Sequence, residues 1–148
     1  MKQVIFVSRA IARTWKPAPR SVLISVSDEL DGPLSPEPGW EQILRLQFDD
    51  KDQAGENVVL FDAAMAQKVL AFVHANEQLD TLVVHCLMGQ SRSAAIALFI
   101  AELLGVPCFK NNRPVTTTTW TQYNRKVYRV LSDEVHGSIG SAFGERDS

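Results

Sequence analysis

The stretch TLVVHCLMGQSRSAAIALFIAELLG, Thr81–Gly105, decides the architecture of this chain. Its first five residues, Thr81–His85, hold Leu82, Val83 and Val84 in a run rich in β-branched residues and read as a central strand. Ser93–Leu104 is an apolar run of helical length, and Gly105 supplies the left-handed stop that ends such helices. Between them lies a short loop with one glycine, Gly89. A strand feeding a tight loop feeding a helix aims successive backbone N–H groups at one point, and the positive helix end reinforces them as an anion nest. Gly89 lets that loop take a positive φ or approach a ligand closely.

Outward from this segment the same alternation continues. Gln3–Val7 and Ser21–Val26 read as strands, and Ile43–Phe48 as a half-exposed one. Arg9–Trp15 reads as a helical turn stopped by Pro17 and Pro19. Asp62 is placed to cap a helix to about Asn76, with Ala66, Val69, Leu70 and Val73 on its apolar face. Asp31–Gly39, with three prolines and two glycines, is loop, and so is Asp49–Asn57. Thr118 or Thr119 is expected to cap a last helix ending near Glu134, followed by a flexible tail over 137–148. Strands alternating with helices in 148 residues predict a single α/β domain, a central, mostly parallel sheet flanked by helices on both faces.

Composition narrows the class. An apolar share of 45% with 22% charged residues is that of a globular protein, and a net charge of −2 gives no reason to expect nucleic acid or an anionic membrane as partner. The apolar run Val4–Val7 is too short for a signal peptide or a membrane span. Two scattered cysteines, Cys86 and Cys108, make no disulfide framework and fit a reducing cytoplasm. Charge is uneven: residues 1–20 hold five cations and no acid, whereas 28–52 are mostly acidic. Solvated faces are the ordinary explanation; a basic rim that steers an anion is the functional one.

Chemistry concentrates in His85-Cys86-Leu87-Met88-Gly89-Gln90-Ser91-Arg92-Ser93. Cys86 sits at the mouth of the nest, where N–H groups and the helix end favour the thiolate, the attacking form. The planar fork of Arg92 can grip two phosphate oxygens at once, a geometry lysine lacks. Ser93 can hydrogen-bond the sulfur, and His85 is expected to be buried and to orient the loop through a ring hydrogen bond. The bland alternative is a buried structural Cys followed by a helix-capping Ser.

His-Cys, five residues, Arg, Ser resembles the active loop of the protein-tyrosine-phosphatase superfamily, and its Ser-Arg-Ser ending resembles the dual-specificity branch, in particular small prokaryotic members. The resemblance covers about residues 20–132; residues 1–20 match nothing in it. It implies a hydrolase, a metal-independent phosphoric monoester hydrolase acting on phosphotyrosine, with phosphoserine or phosphothreonine open. Cys86 would be the nucleophile of a phosphocysteine intermediate. Arg92 and the backbone of Leu87, Met88, Gly89, Gln90 and Ser91 would bind the phosphate, with Ser93 assisting departure of the sulfur. The family's general acid lies in an upstream loop. Leu46, four places before Asp50, fits the pattern seen there, so Asp50 is the first choice and Asp49 and Asp52 are alternatives. Met88 stands where this branch usually has Ala or Glu, which leaves substrate preference open.

No cofactor is implied, and His74, His85 and His136 lack metal-ligand spacing. The expected partner is a phosphorylated protein or another phosphate ester, with neither nucleic acid nor membrane, and the expected state is a monomer. Other readings are a sulfurtransferase, whose loops lack Gly followed by Ser-Arg-Ser, a non-catalytic phosphate-binding module, or a phosphatase for a lipid, RNA or small-molecule phosphate. The neutral side chains of Leu87, Met88, Gln90 and Ser91 favour a monophosphate on an apolar or aromatic group. Cys108 is either a buried apolar cysteine or a redox partner for Cys86. Arg9 and Arg13 share a helix face and are either surface cations or contacts for residues flanking a phosphotyrosine. Gln122-Tyr123-Asn124-Arg125 and the apolar repeat after it read as core, and Trp15, Trp40 and Trp120 as core or pocket wall.

Overall fold

The computed structural model describes residues 1–147, with side chains described up to Gly137. Six strands form one sheet in the order β3-β2-β4-β1-β5-β6. They are β1 (Gln3–Ser8), β2 (Ser21–Ser27), β3 (Gln42–Gln47), β4 (Thr81–Cys86), β5 (Cys108–Lys110) and β6 (Arg113–Val115). All neighbours pair parallel except the β5–β6 hairpin. The helices are α1 (Arg9–Thr14), α2 (Ala63–Ala75), α3 (Arg92–Leu104) and α4 (Arg125–Asp147). The expected mostly parallel α/β sheet is therefore present.

Alternation along the strands sorts side chains into two cores. Val4, Phe6, Val22, Ile24, Val26, Leu82, Val84 and Cys86 face α2, α3 and α4. Val7, Leu23 and Val83 face the other way, where Ala12 of α1, Leu34 and the partly buried Trp15 and Trp40 cover them. Helices thus lie on both faces, although the second is covered largely by irregular chain. β2 and β4 are buried at every residue, as strands covered on both sides must be, whereas β3 is an edge strand with half its residues exposed.

Caps mark the ends the sequence suggests. The Asp62 carboxylate accepts from Met65 N at 2.9 Å, and Gly105, at φ +67°, closes α3. The expected strand Gln3–Val7 is present as β1, which lies between β4 and β5 inside the sheet although residues 1–20 lie outside the stated resemblance. Three points need correction. β5 and β6 were not foreseen, because three residues are too few for a periodicity. The threonine run caps nothing: Thr116–Thr119 folds into its own turn, with Thr116 N donating to Thr119 Oγ1 at 2.9 Å. Asn124 caps the last helix instead, through Val127 N at 3.0 Å, and that helix runs past Glu134 to Asp147. The tail expected over 137–148 falls where side chains lie outside the described residues.

Candidate active site

β1 and β4 are adjacent and parallel, yet their chains leave toward opposite faces, β1 into α1 and β4 into α3. Divergence of this kind opens a crevice at the carboxyl ends of the strands, where α/β folds place ligands. Residues 87–91 fill that position. Gly89 adopts φ +68°, and a Cβ there would lie 2.4 Å from Ser8 N and 2.5 Å from Val7 C. Both the dihedral and the close approach of β1 therefore require glycine.

The loop is held from outside by its carbonyls. Arg9 N donates to Leu87 O at 3.2 Å, the Trp120 indole N–H to Gln90 O at 2.9 Å, and Asn124 N to Ser91 O at 3.1 Å. Among the described residues, none of the amides of Leu87, Met88, Gly89, Gln90, Ser91 or Arg92 donates to a protein acceptor. Gly89 and Arg92 are buried, and buried N–H groups without a partner are rare in folded chains. The Ser91 hydroxyl, in the position that normally caps a helix, makes no cap and donates to Asp50 Oδ1 at 2.7 Å. The bland reading of a helix-capping serine does not hold for Ser91.

Cys86 is buried at the end of β4, with its Sγ 3.0 Å from Ser93 Oγ. Arg92, 5% exposed, donates from Nη1 to Phe48 O at 2.9 Å. Its other guanidinium nitrogens have no protein acceptor among the described residues. Phe48 is fully buried, stacked edge-on against Phe61 at 5.0 Å, and donates its own N–H to Ser27 O. The arginine is thereby fastened to the root of the acidic segment that follows β3.

That segment separates its three carboxylates. Asp49 closes the base of the 49–59 loop: its N donates to Val59 O and its Oδ2 accepts from Val59 N, both at 2.7 Å. Asp52 is exposed and makes no hydrogen bond among the described residues. Asp50 alone reaches the loop, accepting on Oδ1 from Ser91 Oγ and, at 2.8 Å, from Asn124 Nδ2. Its Oδ2 has no protein partner among the described residues. Asp50, Lys51, Asp52, Ser91, Asn124 and Arg125 line a cavity of about 320 Å³ beside the loop.

His85 is fully buried, and its ring bonds the sheet rather than the loop: Nε2 lies 2.6 Å from Ser25 Oγ on the neighbouring strand. Nδ1 is turned to the Cys86 backbone without a hydrogen bond of normal geometry. Burial pushes the ring's pKa down to about 4, and the Arg9, Arg45 and Arg92 cations add to that shift, so the ring is neutral at pH 7. Cys108 is not placed to bridge to Cys86. It pairs with Val4 whereas Cys86 pairs with Ser8, which sets them roughly 13 Å apart along the strands and roughly 10 Å across. A disulfide needs Cα atoms within about 7 Å. Burial raises the Cys108 thiol to about 12 and keeps it inert.

Arg9 does not stand free either: it donates to Gly32 O and Pro33 O and ties the 28–33 turn over the second core. Reading the sequence missed Ser25, Trp120's bond to the loop, and above all Asn124. Asn124 holds Ser91 O, Asp50 Oδ1, Lys51 O and the first turn of α4 at once. Its signal was present, an Asn three residues before Val127, where the apolar repeat begins, which is where an N-cap stands. Among the described residues no group of three His, Cys, Asp or Glu comes together as a metal site needs, and no helix is long and apolar enough to cross a membrane. The chain matches no protein-family model and no curated protein, so the ground for a functional reading is the geometry of this strand, loop and helix.

Proposed function

We propose that this chain is a cysteine-dependent phosphatase that hydrolyses phosphotyrosine through a phosphocysteine intermediate. One observation carries the reading: the Cys86 sulfur, 3.0 Å from a serine hydroxyl, stands at the foot of a loop where the amides of residues 87–92 have no acceptor among the described residues. Such a run of unpaired donors suits the three equatorial oxygens of a transferring phosphoryl group, whose chemistry needs positioning and charge stabilisation above all.

The steps follow from the neighbours. Phosphate settles on the amides of residues 87–92 and on the guanidinium nitrogens of Arg92 not engaged by Phe48. The Cys86 thiolate attacks phosphorus in line; the S–P bond forms as the P–O bond to the phenol breaks. Asp50, anchored through Oδ1, gives a proton from Oδ2 to the leaving oxygen. Water then attacks phosphorus, Asp50 takes its proton, and the S–P bond breaks with the Ser93 hydroxyl stabilising the departing thiolate. Leu87 and Met88, 42% and 64% exposed, make the rim of the loop apolar, which favours an aromatic ester over an alkyl one. The chemistry needs no metal. It suits a monomer acting on phosphoproteins in the cytoplasm, where a catalytic thiolate stays reduced.

Turnover of para-nitrophenyl phosphate in excess EDTA tests this directly. Wild-type protein should hydrolyse it and form a labile phosphoenzyme on acid quench. A protein that binds phosphate but shows no turnover would be a binding module, and the enzymatic reading would be wrong.

A further inference from the structure

One buried cation close to the loop is used by nothing described so far. Lys110, the last residue of β5, is 8% exposed and has no acceptor for its ammonium among the described residues. Its Nζ rests 5.4 Å from the centroid of the Phe6 ring, a cation–π contact. Burial lowers its pKa while the nearby Cys86 raises it. The stem of Lys110 is buried while its ammonium, without a protein acceptor among the described residues, is left to whatever enters the cavity it lines.

The hairpin makes the charge more conspicuous. Lys110 and Arg113 flank the two-residue turn Asn111-Asn112, both with positive φ, and face each other directly across β5 and β6. Like charges in facing cross-strand positions repel. An exposed arginine on an edge strand has an ordinary explanation in discouraging edge pairing. A lysine that is nine-tenths buried has no such explanation.

Both residues line an open cavity of about 580 Å³ with Asn111, Thr119 and Trp120. Trp120 connects this cavity to the loop, donating its indole N–H to Gln90 O and packing edge-on against Phe6 at 5.4 Å. The register agrees. β5 pairs Phe109 with Ile5, so Lys110 lies at the level of Phe6, two residues below that of Cys86, and strand alternation puts it on the same face as both.

We propose that this cavity is a second oxyanion subsite, in which Lys110 and Arg113 hold a carboxylate or phosphate borne by the substrate peptide one or two residues from the phosphotyrosine. The proposal rests on the phosphatase reading and adds a substrate class to it. The side chains of Leu87, Met88, Gln90 and Ser91 are neutral, so discrimination for further negative charge has to come from outside the loop. The subsite neutralises a facing pair of cations that otherwise repel.

The test uses phosphotyrosine peptides that differ only in the two residues on either side: all neutral, one Glu, or one phosphoserine. kcat/KM is measured for wild type, Lys110→Met and Arg113→Ala. The same peptides with a phosphonate in place of the phosphotyrosine are titrated calorimetrically. Wild type should favour at least one anionic peptide by about tenfold, in KM and in Kd, as a charge-assisted hydrogen bond does. Added salt should weaken the preference, Arg113→Ala should reduce it, and Lys110→Met should abolish it. Comparing Glu with phosphoserine tells carboxylate from phosphate. Equal values for all peptides in wild type that still hydrolyses para-nitrophenyl phosphate would sink the subsite alone. So would a preference that survives Lys110→Met. Wild type that neither hydrolyses the aryl phosphate nor binds any phosphonate overturns the phosphatase reading and this proposal together. Arg113 is exposed, so its variant keeps the test meaningful if Lys110→Met does not fold.

Discussion

Two neighbouring strands in this sheet hand their chains to helices in opposite styles. β1 passes straight into α1, and Ser8 caps it by accepting from Ile11 N at 3.3 Å. β4 passes into α3 through five loop residues, and Ser91, at the equivalent place, turns its hydroxyl to Asp50 and leaves the helix end uncapped. The residue type is the same at both junctions. One junction uses its serine to satisfy the helix; the other turns it to Asp50, beside a buried cysteine and a run of amides, residues 87–92, that have no acceptor among the described residues. A helix N-terminus attracts anions weakly and generally. At the second junction the cap is withheld and the loop is pinned by its carbonyls, the arrangement on which the proposed phosphate site rests.

The sharpest way to break that contrast is to remove the sulfur. Cys86→Ser should cut aryl phosphate turnover by about a thousandfold or more, in steady-state kinetics, while phosphate still binds. Ser8→Ala, at the other junction, should leave kcat alone and lower stability by about 1 kcal/mol in urea unfolding.

Separating Asp50 from Asp49 comes next. Asp50→Asn should lower kcat by about 10²–10⁴-fold and abolish the fall of rate at high pH that a general acid imposes. Asp49→Asn should act on stability, by about 1 kcal/mol, with kcat little changed. The reverse pattern would place the acid at 49.

Gly89→Ala strains the backbone at φ +68° and drives a methyl into Ser8. A loss of more than about 2 kcal/mol is expected in thermal or urea unfolding, with activity lost in whatever folds. An unchanged midpoint would show that the two junctions are not in contact.

The last test, which leaves the loop itself unaltered, concerns pH. His85 titrates near 4 when folded and near 6.5 when unfolded, so the unfolded state binds more protons between those values. Stability is therefore full above about pH 6.5 and falls as pH drops toward 4, by on the order of 3 kcal/mol, then levels off. His85→Gln should flatten that slope in urea unfolding followed at several pH values.

Much was legible before any coordinates. A run of β-branched residues, a glycine and an apolar helix placed Cys86, Arg92 and Ser93 on a strand–loop–helix, because local periodicity and turn chemistry act over a few residues. Asp62 and Gly105 were readable as caps for the same reason. Asp50 could be ranked above Asp49 and Asp52 only by spacing; what separates them is a hydrogen bond to Ser91, 41 residues away.

Contacts of that range belong to the fold. No local pattern shows that β1 slots between β4 and β5, that Asn124 ties loop, acid and helix together, or that Lys110 rises on the face of Phe6. The chain by itself determined most of the longer elements and the residues of the loop between β4 and α3, since these depend on residue type and short spacing. The tertiary structure alone decided which carboxylate meets the loop, which serine leaves its helix uncapped and where the spare cation points. Those are matters of strand order and register, and sheet pairing sets them across the length of the protein.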